Sequence, residues 1–233
     1  MRTQTRTMKI VLAGVFSALT ILLGLFPSVG LIPVPTPAGN ATTLHIPAIL
    51  GGILGGPIVG AVVGLTFGLF SFLRATLPLF KDPLVAILPR LFIGVVAWAV
   101  YTGSTRASRD VIQILALVAA FIGAWFAWQV HATHPIVGWL ILVLVVVAGA
   151  ALLYLVRRGN HETVAVVVGS VFGSFTNTAL VLGMAAILGY LPMQGVLLVA
   201  TTHGIPEAIV AAIIATAVVS AVRGTGSRER STV

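Results

Sequence analysis

Cysteine is absent from this chain, which excludes a disulfide framework, a thiolate nucleophile and any cysteine-based metal site. Acidic residues are nearly as scarce: Asp82, Asp110, Glu162, Glu207 and Glu229 are the full set. Three of these, Asp110, Glu162 and Glu229, fall in polar loops or the tail, so general acid–base catalysis is poorly provided for. The two lysines, Lys9 and Lys81, do not follow glycine, and no G-x-x-x-x-G-K-[ST] segment occurs, which excludes ATP hydrolysis through a phosphate-binding loop. H-E-x-x-H and G-x-S-x-G are missing too. His131 and His134 stand three apart, a spacing that can bind a metal. Without a carboxylate or cysteine they make a weak site, and interfacial polarity accounts for them. The chain is read as a non-enzyme that needs no cofactor.

What the sequence does have is apolar length. Hydrophobic residues make up 58%, charged residues 8%, and the mean hydropathy is +1.12. A soluble domain carries about 25% charged residues. The net charge of +8 sits mostly in short loops and tails, where membrane orientation puts it, and does not point to nucleic acid. The basic Met1–Lys9 stretch resembles a signal peptide. The run after it ends at Phe26-Pro27 without an A-x-A-like cleavage site and further apolar runs follow, so it is read as a first span.

The pattern predicts an all-α integral membrane protein of eight spans in one domain, 1–233. The first span is Ile10–Phe26. Thr43–Thr76 would reach about 50 Å as one helix, against a hydrocarbon core of about 30 Å. It should break at Gly55-Gly56-Pro57, giving a short span Leu44–Gly55 and another over Ile58–Arg74. Asp82 is a good N-cap for a fourth span, Pro83–Tyr101, which Pro89 should kink. Val111–Val130, Ile136–Val156, Val164–Gly189 and Ile205–Val222 follow. Eight spans place both termini on one side. Ten of the 13 basic residues then share that side, and the remaining three, Arg74, Lys81 and Arg90, lie in the opposite half, so both termini are cytoplasmic. Trp98 falls near the inner interface; Trp125, Trp128 and Trp139 fall near the outer one. The Pro-rich loop Pro27–Thr42 is either a passive connector or a lid over an outward site, and the stretch Tyr190–Gly204 is a second candidate flap.

Arg90 is the most informative residue, because a charge inside an apolar helix costs a few kcal/mol and normally marks a bundle interior or a polar cavity. The candidate substrate-binding residues are Arg90, Arg74, Asn177, Glu207 and His45, all in the outer half. Each has a plainer account. Arg90 and Glu207 pair with each other, or Glu207 complements a helix N-terminus. Asn177 and Ser174 hold helices together, and Arg74 snorkels to the interface. Small residues at Ala13-x-x-x-Ser17 and Gly14-x-x-x-Ala18 allow close helix approach and make the first span the candidate partner-docking face.

Several segments resemble the membrane S components of energy-coupling-factor (ECF) vitamin transporters. They are Ala41-Thr-Thr-Leu-His-Ile-Pro-Ala-Ile-Leu-Gly-Gly-Ile-Leu-Gly-Gly-Pro, Asp82-Pro-Leu-Val-Ala-Ile-Leu-Pro-Arg-Leu-Phe-Ile-Gly, Gly173-Ser-Phe-Thr-Asn-Thr-Ala-Leu-Val-Leu-Gly and Gly204-Ile-Pro-Glu-Ala-Ile. The small-residue pairs on the first span match the family's A-x-x-x-A motif. The resemblance implies a multi-pass subunit of the cell membrane that binds a vitamin from outside and works with a membrane coupling subunit and two cytoplasmic ATPases. It is closest to the pantothenate-type branch, whose carboxylate two arginines would suit. Folate, a cobalamin-type ligand and a non-transport assembly subunit stay open. The family has six spans. Residues 10–101 and 164–222 then form an S-component-like core, and 111–156 is an inserted helix pair.

Overall fold

The computed structural model describes residues 5–26, 30–32, 41–132 and 134–228, with no side-chain detail for 31, 32 and 224–228. Most of the Pro27–Thr42 flap lies outside the described residues, as do Arg2, Glu229 and Arg230.

Helix α1, Arg6–Leu25, starts where the Thr5 side chain accepts the Met8 N–H, and it buries one stripe, Phe16, Thr20 and Gly24, at a spacing of four. Two-residue strands β1, Leu31–Ile32, and β2, Ala41–Thr42, pair antiparallel. Helix α2, Ile46–Gly55, is buried on almost every side and is the axis of the bundle. It ends at Gly56, whose φ of 93° only glycine adopts freely, and Pro57 opens α3, Pro57–Leu73. A 3₁₀ turn, Pro78–Lys81, then leads to α4, Pro83–Ala86, where Asp82 accepts the Leu84 N–H at 2.9 Å. The chain bends at Ile87 and continues as α5, Leu88–Ser104. The bend falls at Ile87 because Pro89 has no N–H to offer the Val85 carbonyl four residues back.

Close backbone contact fixes how α2, α3 and α5 pack. A Cβ at Gly60 would sit 2.8 Å from Gly94, one at Gly68 would sit 2.8 Å from Ile87, and one at Gly64 would collide with the Arg90 carbonyl. Gly94 in turn lies against Ala48 of α2. The glycine spacing that allows helices to approach is used here within the chain.

Helices α6, Arg109–His131, and α7, Pro135–Arg158, form a hairpin that packs largely on itself. Ile112 and Val156 meet Val164 and Val168 at one end; Ala127, Ile141 and Val145 meet Ile205 at the other. Helix α8, His161–Ile187, follows the Asn160 cap. The stretch read as a flap, Tyr190–Gly204, is mostly helical: α9, Met193–Val199, runs through a π turn, Ala200–Gly204, into α10, Ile205–Arg228. Pro206 does not break this helix, because a π turn just before it shifts the hydrogen-bond register that proline interrupts.

Among the described residues six helical segments are long and apolar enough to cross a membrane: α1, α4 with α5, α6, α7, α8, and α9 with α10 up to Arg223. The remaining two of the eight expected spans, α2 and α3, have 10 and 17 residues. At ~1.5 Å per residue, α2 covers about 15 Å, half the hydrocarbon core. At the end of the bundle that carries residues 101–109 and 157–162, Arg223 forms an ion pair with Glu162 and donates to the Tyr101 hydroxyl at 3.0 Å, tying α10 to α8 and α5.

Candidate functional site

Arg90 is buried on α5. Its guanidinium lies between two rings, 5.3 Å from the Phe67 centroid and 5.1 Å from that of Phe80, in the range of a cation–π contact. Nη1 donates to the Val85 carbonyl. Nε is buried and has no hydrogen-bond partner. Among the described residues no carboxylate comes within 4 Å of Arg90, so it forms no direct bridge with Glu207.

Glu207 is buried on α10, and its Oε1 accepts the backbone N–H of Thr42 at 2.6 Å. It does not stand at a free helix N-terminus, because α10 continues from the π turn. The Thr42 and Thr43 hydroxyls in turn face the Gly30 carbonyl, at 3.5 and 3.3 Å, and the Thr42 hydroxyl accepts the Leu44 N–H. Beside this knot is a cavity of about 170 Å³ lined by Thr42, Thr43, His45, Thr202, Pro206, Glu207 and three apolar residues. His45, fully buried, shares a 3.2 Å hydrogen bond between Nε2 and the Ser174 hydroxyl of α8.

Asn177 is buried one turn beyond Ser174, and its Oδ1 has no partner. Helix register places it with the others. Gly173 packs against Ala97 and Ile49, and Gly94 packs against Ala48. Arg90 is four residues before Gly94, Asn177 four after Gly173, and His45 four before Ile49. Helices α2 and α5 start at this end of the bundle and α8 finishes there, so all three polar groups stand one turn toward the same end.

The structure therefore joins the expected site residues unevenly. His45 and Glu207 line one cavity. Arg90 and Asn177 are buried at the same end but outside that lining. Arg74 is exposed just beyond the end of α3. The sequence reading missed Phe67, Phe80, Thr42, Thr43 and Thr202. Pro89 and Pro206 were available as signals, since each marks a helical hydrogen bond that must be replaced. Among the described residues His131 and His134 gather no third ligand; His131 stacks near Trp128 and Trp139, with ring centroids at 5.4 and 5.2 Å. At the loop surface, Tyr190 donates to Asp82 at 3.3 Å. Partial desolvation and the neighbouring Asp82 carboxylate push its phenol above the usual value.

On the first helix the four docking candidates separate. Ala13 packs against the core, and Ser17 accepts a hydrogen bond from Thr66 at 3.1 Å. Gly14 and Ala18 are exposed, and a Cβ at Gly14 would meet nothing within 4 Å.

Apolar helices of spanning length, wrapped around a short buried helix with buried polar groups at one end, define a multi-pass membrane protein. The chain belongs to the ECF transporter, substrate-specific component family, whose sequence model matches residues 8–219. No curated protein matches it. Membership makes it a transporter component with a small-molecule substrate and with ECF coupling and ATPase partners.

Proposed function

We propose that this subunit captures a water-soluble vitamin from outside the cell, with pantothenate favoured, and delivers it with a membrane coupling subunit and two ATPases. The observation that carries the reading is Arg90: a buried guanidinium with a free Nε and, among the described residues, no carboxylate in ion-pair distance. A buried charge of this kind requires an anionic partner or dense hydrogen bonding. A ligand carboxylate supplies the anion. Asn177 adds a neutral hydrogen bond, and the cavity of His45, Glu207, Thr43 and Thr202 suits hydroxyl and amide groups. Pantothenate carries a carboxylate, an amide and two hydroxyls. Arg74, exposed near the same end, serves on this reading as an entrance charge.

The same reading treats residues 10–101 and 164–222 as the family core and α6–α7 as an inserted pair. Both termini are cytoplasmic. Whether α2 and α3 cross the bilayer or turn back at Gly56, they return the chain to the side it left, so the orientation does not depend on them. Gly14 and Ala18 face the coupling subunit. The test is thermal shift of the purified chain against a vitamin panel. Stabilisation by pantothenate and by no larger vitamin is the expected result. Stabilisation by folate or a cobalamin instead would replace the substrate, and stabilisation by no vitamin would favour an assembly subunit.

A further inference from the structure

At the opposite end of the bundle, the turns 104–109 and 157–159 bring four arginines together. Arg109 donates from Nη1 to the Arg157 carbonyl at 3.1 Å and from Nη2 to the Gly159 carbonyl at 3.4 Å, which pins the two turns against each other. Helix α7 closes tightly there, with the Gly159 N–H on the Leu155 carbonyl at 2.6 Å. Arg109 thus already serves the carbonyls at the end of α7. Arg106, Arg157 and Arg158 are exposed, and none makes a side-chain hydrogen bond or ion pair among the described residues. Of the two nearby carboxylates, Glu162 is engaged by Arg223 and Tyr101, which leaves Asp110. Four guanidiniums against one free carboxylate make a strongly positive surface that favours an anion.

The neighbourhood indicates which anion. Tyr154 is 65% exposed and lies three and four residues before Arg157 and Arg158, on the same helix face. Beyond it the outward faces of α6 and α7 are aliphatic, with Leu115, Val118 and Val147 exposed. A guanidinium cluster, then a phenol, then hydrocarbon-facing side chains is the order in which a phospholipid presents phosphate, glycerol and acyl chain. We propose that the turns 104–109 and 157–159 form a binding surface for an anionic phospholipid headgroup. Arg106, Arg157 and Arg158 hold the phosphate, and Tyr154 packs at the glycerol level. The adjoining hydrocarbon face selects a lipid over a soluble phosphate, which would gain nothing from it.

Native mass spectrometry of the full chain in a non-ionic detergent tests this, with phosphatidylglycerol and phosphatidylcholine of the same acyl chains added in turn. Phosphatidylglycerol should bind about tenfold or more tighter, and the preference should shrink between about 50 and about 500 mM salt. Replacing Arg106, Arg157 and Arg158 together by glutamine should weaken phosphatidylglycerol binding by roughly one to two orders of magnitude. Replacing them by lysine should keep most of it. Lys81→Gln, at the other end, should leave phosphatidylglycerol binding unchanged. Circular dichroism checks folding, and Arg158→Gln alone, with a smaller loss, serves if the triple variant does not fold. Equal affinity for the two lipids, full binding by the glutamine variants, or displacement of the lipid by millimolar inorganic phosphate would overturn the proposal.

Discussion

Arg90 donates through Nη1 to the Val85 carbonyl, the acceptor that Pro89, lacking an N–H, leaves without its helical partner. The helix break and the buried charge are one device. Proline opens the α4–α5 junction, the freed carbonyl anchors one arm of the guanidinium, and Phe67 and Phe80 flank the rest. The arginine is held in place by groups that do not neutralise it, so its charge stays available.

That device predicts the behaviour of Pro89→Ala. The substitution supplies an N–H that competes with Arg90 for the Val85 carbonyl, while the fold itself loses little, because Pro89 stands in the first turn of α5, where proline is tolerated without being required. The melting temperature should stay level or rise while vitamin affinity falls. Isothermal titration together with a melting curve reads both quantities. Affinity equal to wild type would show that the anchored geometry of Arg90 is not needed for binding.

Arg90 and Glu207 make different demands. If the ligand carboxylate is the partner of Arg90, Arg90→Ala should cost ~2–5 kcal/mol in binding with the fold retained. Glu207→Gln keeps an acceptor for the Thr42 N–H, so it should perturb the fold little and change affinity through the cavity wall. If instead the two charges sustain each other, Arg90→Ala should lower the melting temperature and adding Glu207→Gln should restore it. Melting and affinity of the two single variants and the double variant separate these cases.

Much of this fold was legible along the chain. Asp82 and Pro83 announce a helix start, Gly55-Gly56-Pro57 announces a break, and both are found there. Across the chain less could be read. Glu207 meets Thr42, 165 residues away, and His45 meets Ser174, 129 residues away. In a membrane helix every face is apolar, so periodicity does not reveal which face meets which neighbour. The helical 193–204 stretch was missed because Pro192, Gly195, Gly204 and Pro206 read as loop signals, while a π turn absorbs the last of them.

Glycine contacts give a packing prediction. Gly94→Ala places a methyl 2.5 Å from the Ala48 carbonyl, between helices that cannot separate cheaply. Overpacking of this kind costs typically 1–3 kcal/mol. Gly103→Ala, on the same helix with nothing within 4 Å of its Cβ, should be neutral or stabilising by about 0.5–1 kcal/mol. Melting curves in detergent should order the proteins as Gly103→Ala at or above wild type, and Gly94→Ala below both.

Orientation has its own test. Reporters inserted at Gly159 and at Gly189 lie at opposite ends of α8. With cytoplasmic termini, the first should report from inside and the second from outside, and a fusion after Lys9 should agree with Gly159. The reverse pattern would turn the site at Arg90 toward the cytoplasm and end the uptake reading.

The docking face is the last test, and α1 sharpens it. Ala13 and Ser17 already pack inward, so Ala13→Leu and Ser17→Leu should lower stability of the isolated chain. Gly14 and Ala18 face outward with open space at Gly14, so Gly14→Leu and Ala18→Leu should leave folding and vitamin binding intact. If α1 docks the coupling subunit through this face, a leucine there holds the two helices apart, and uptake by cells expressing all subunits should be lost. Co-purification of the coupling subunit with each variant locates the defect. Normal uptake by both Gly14→Leu and Ala18→Leu would place the docking face on another helix.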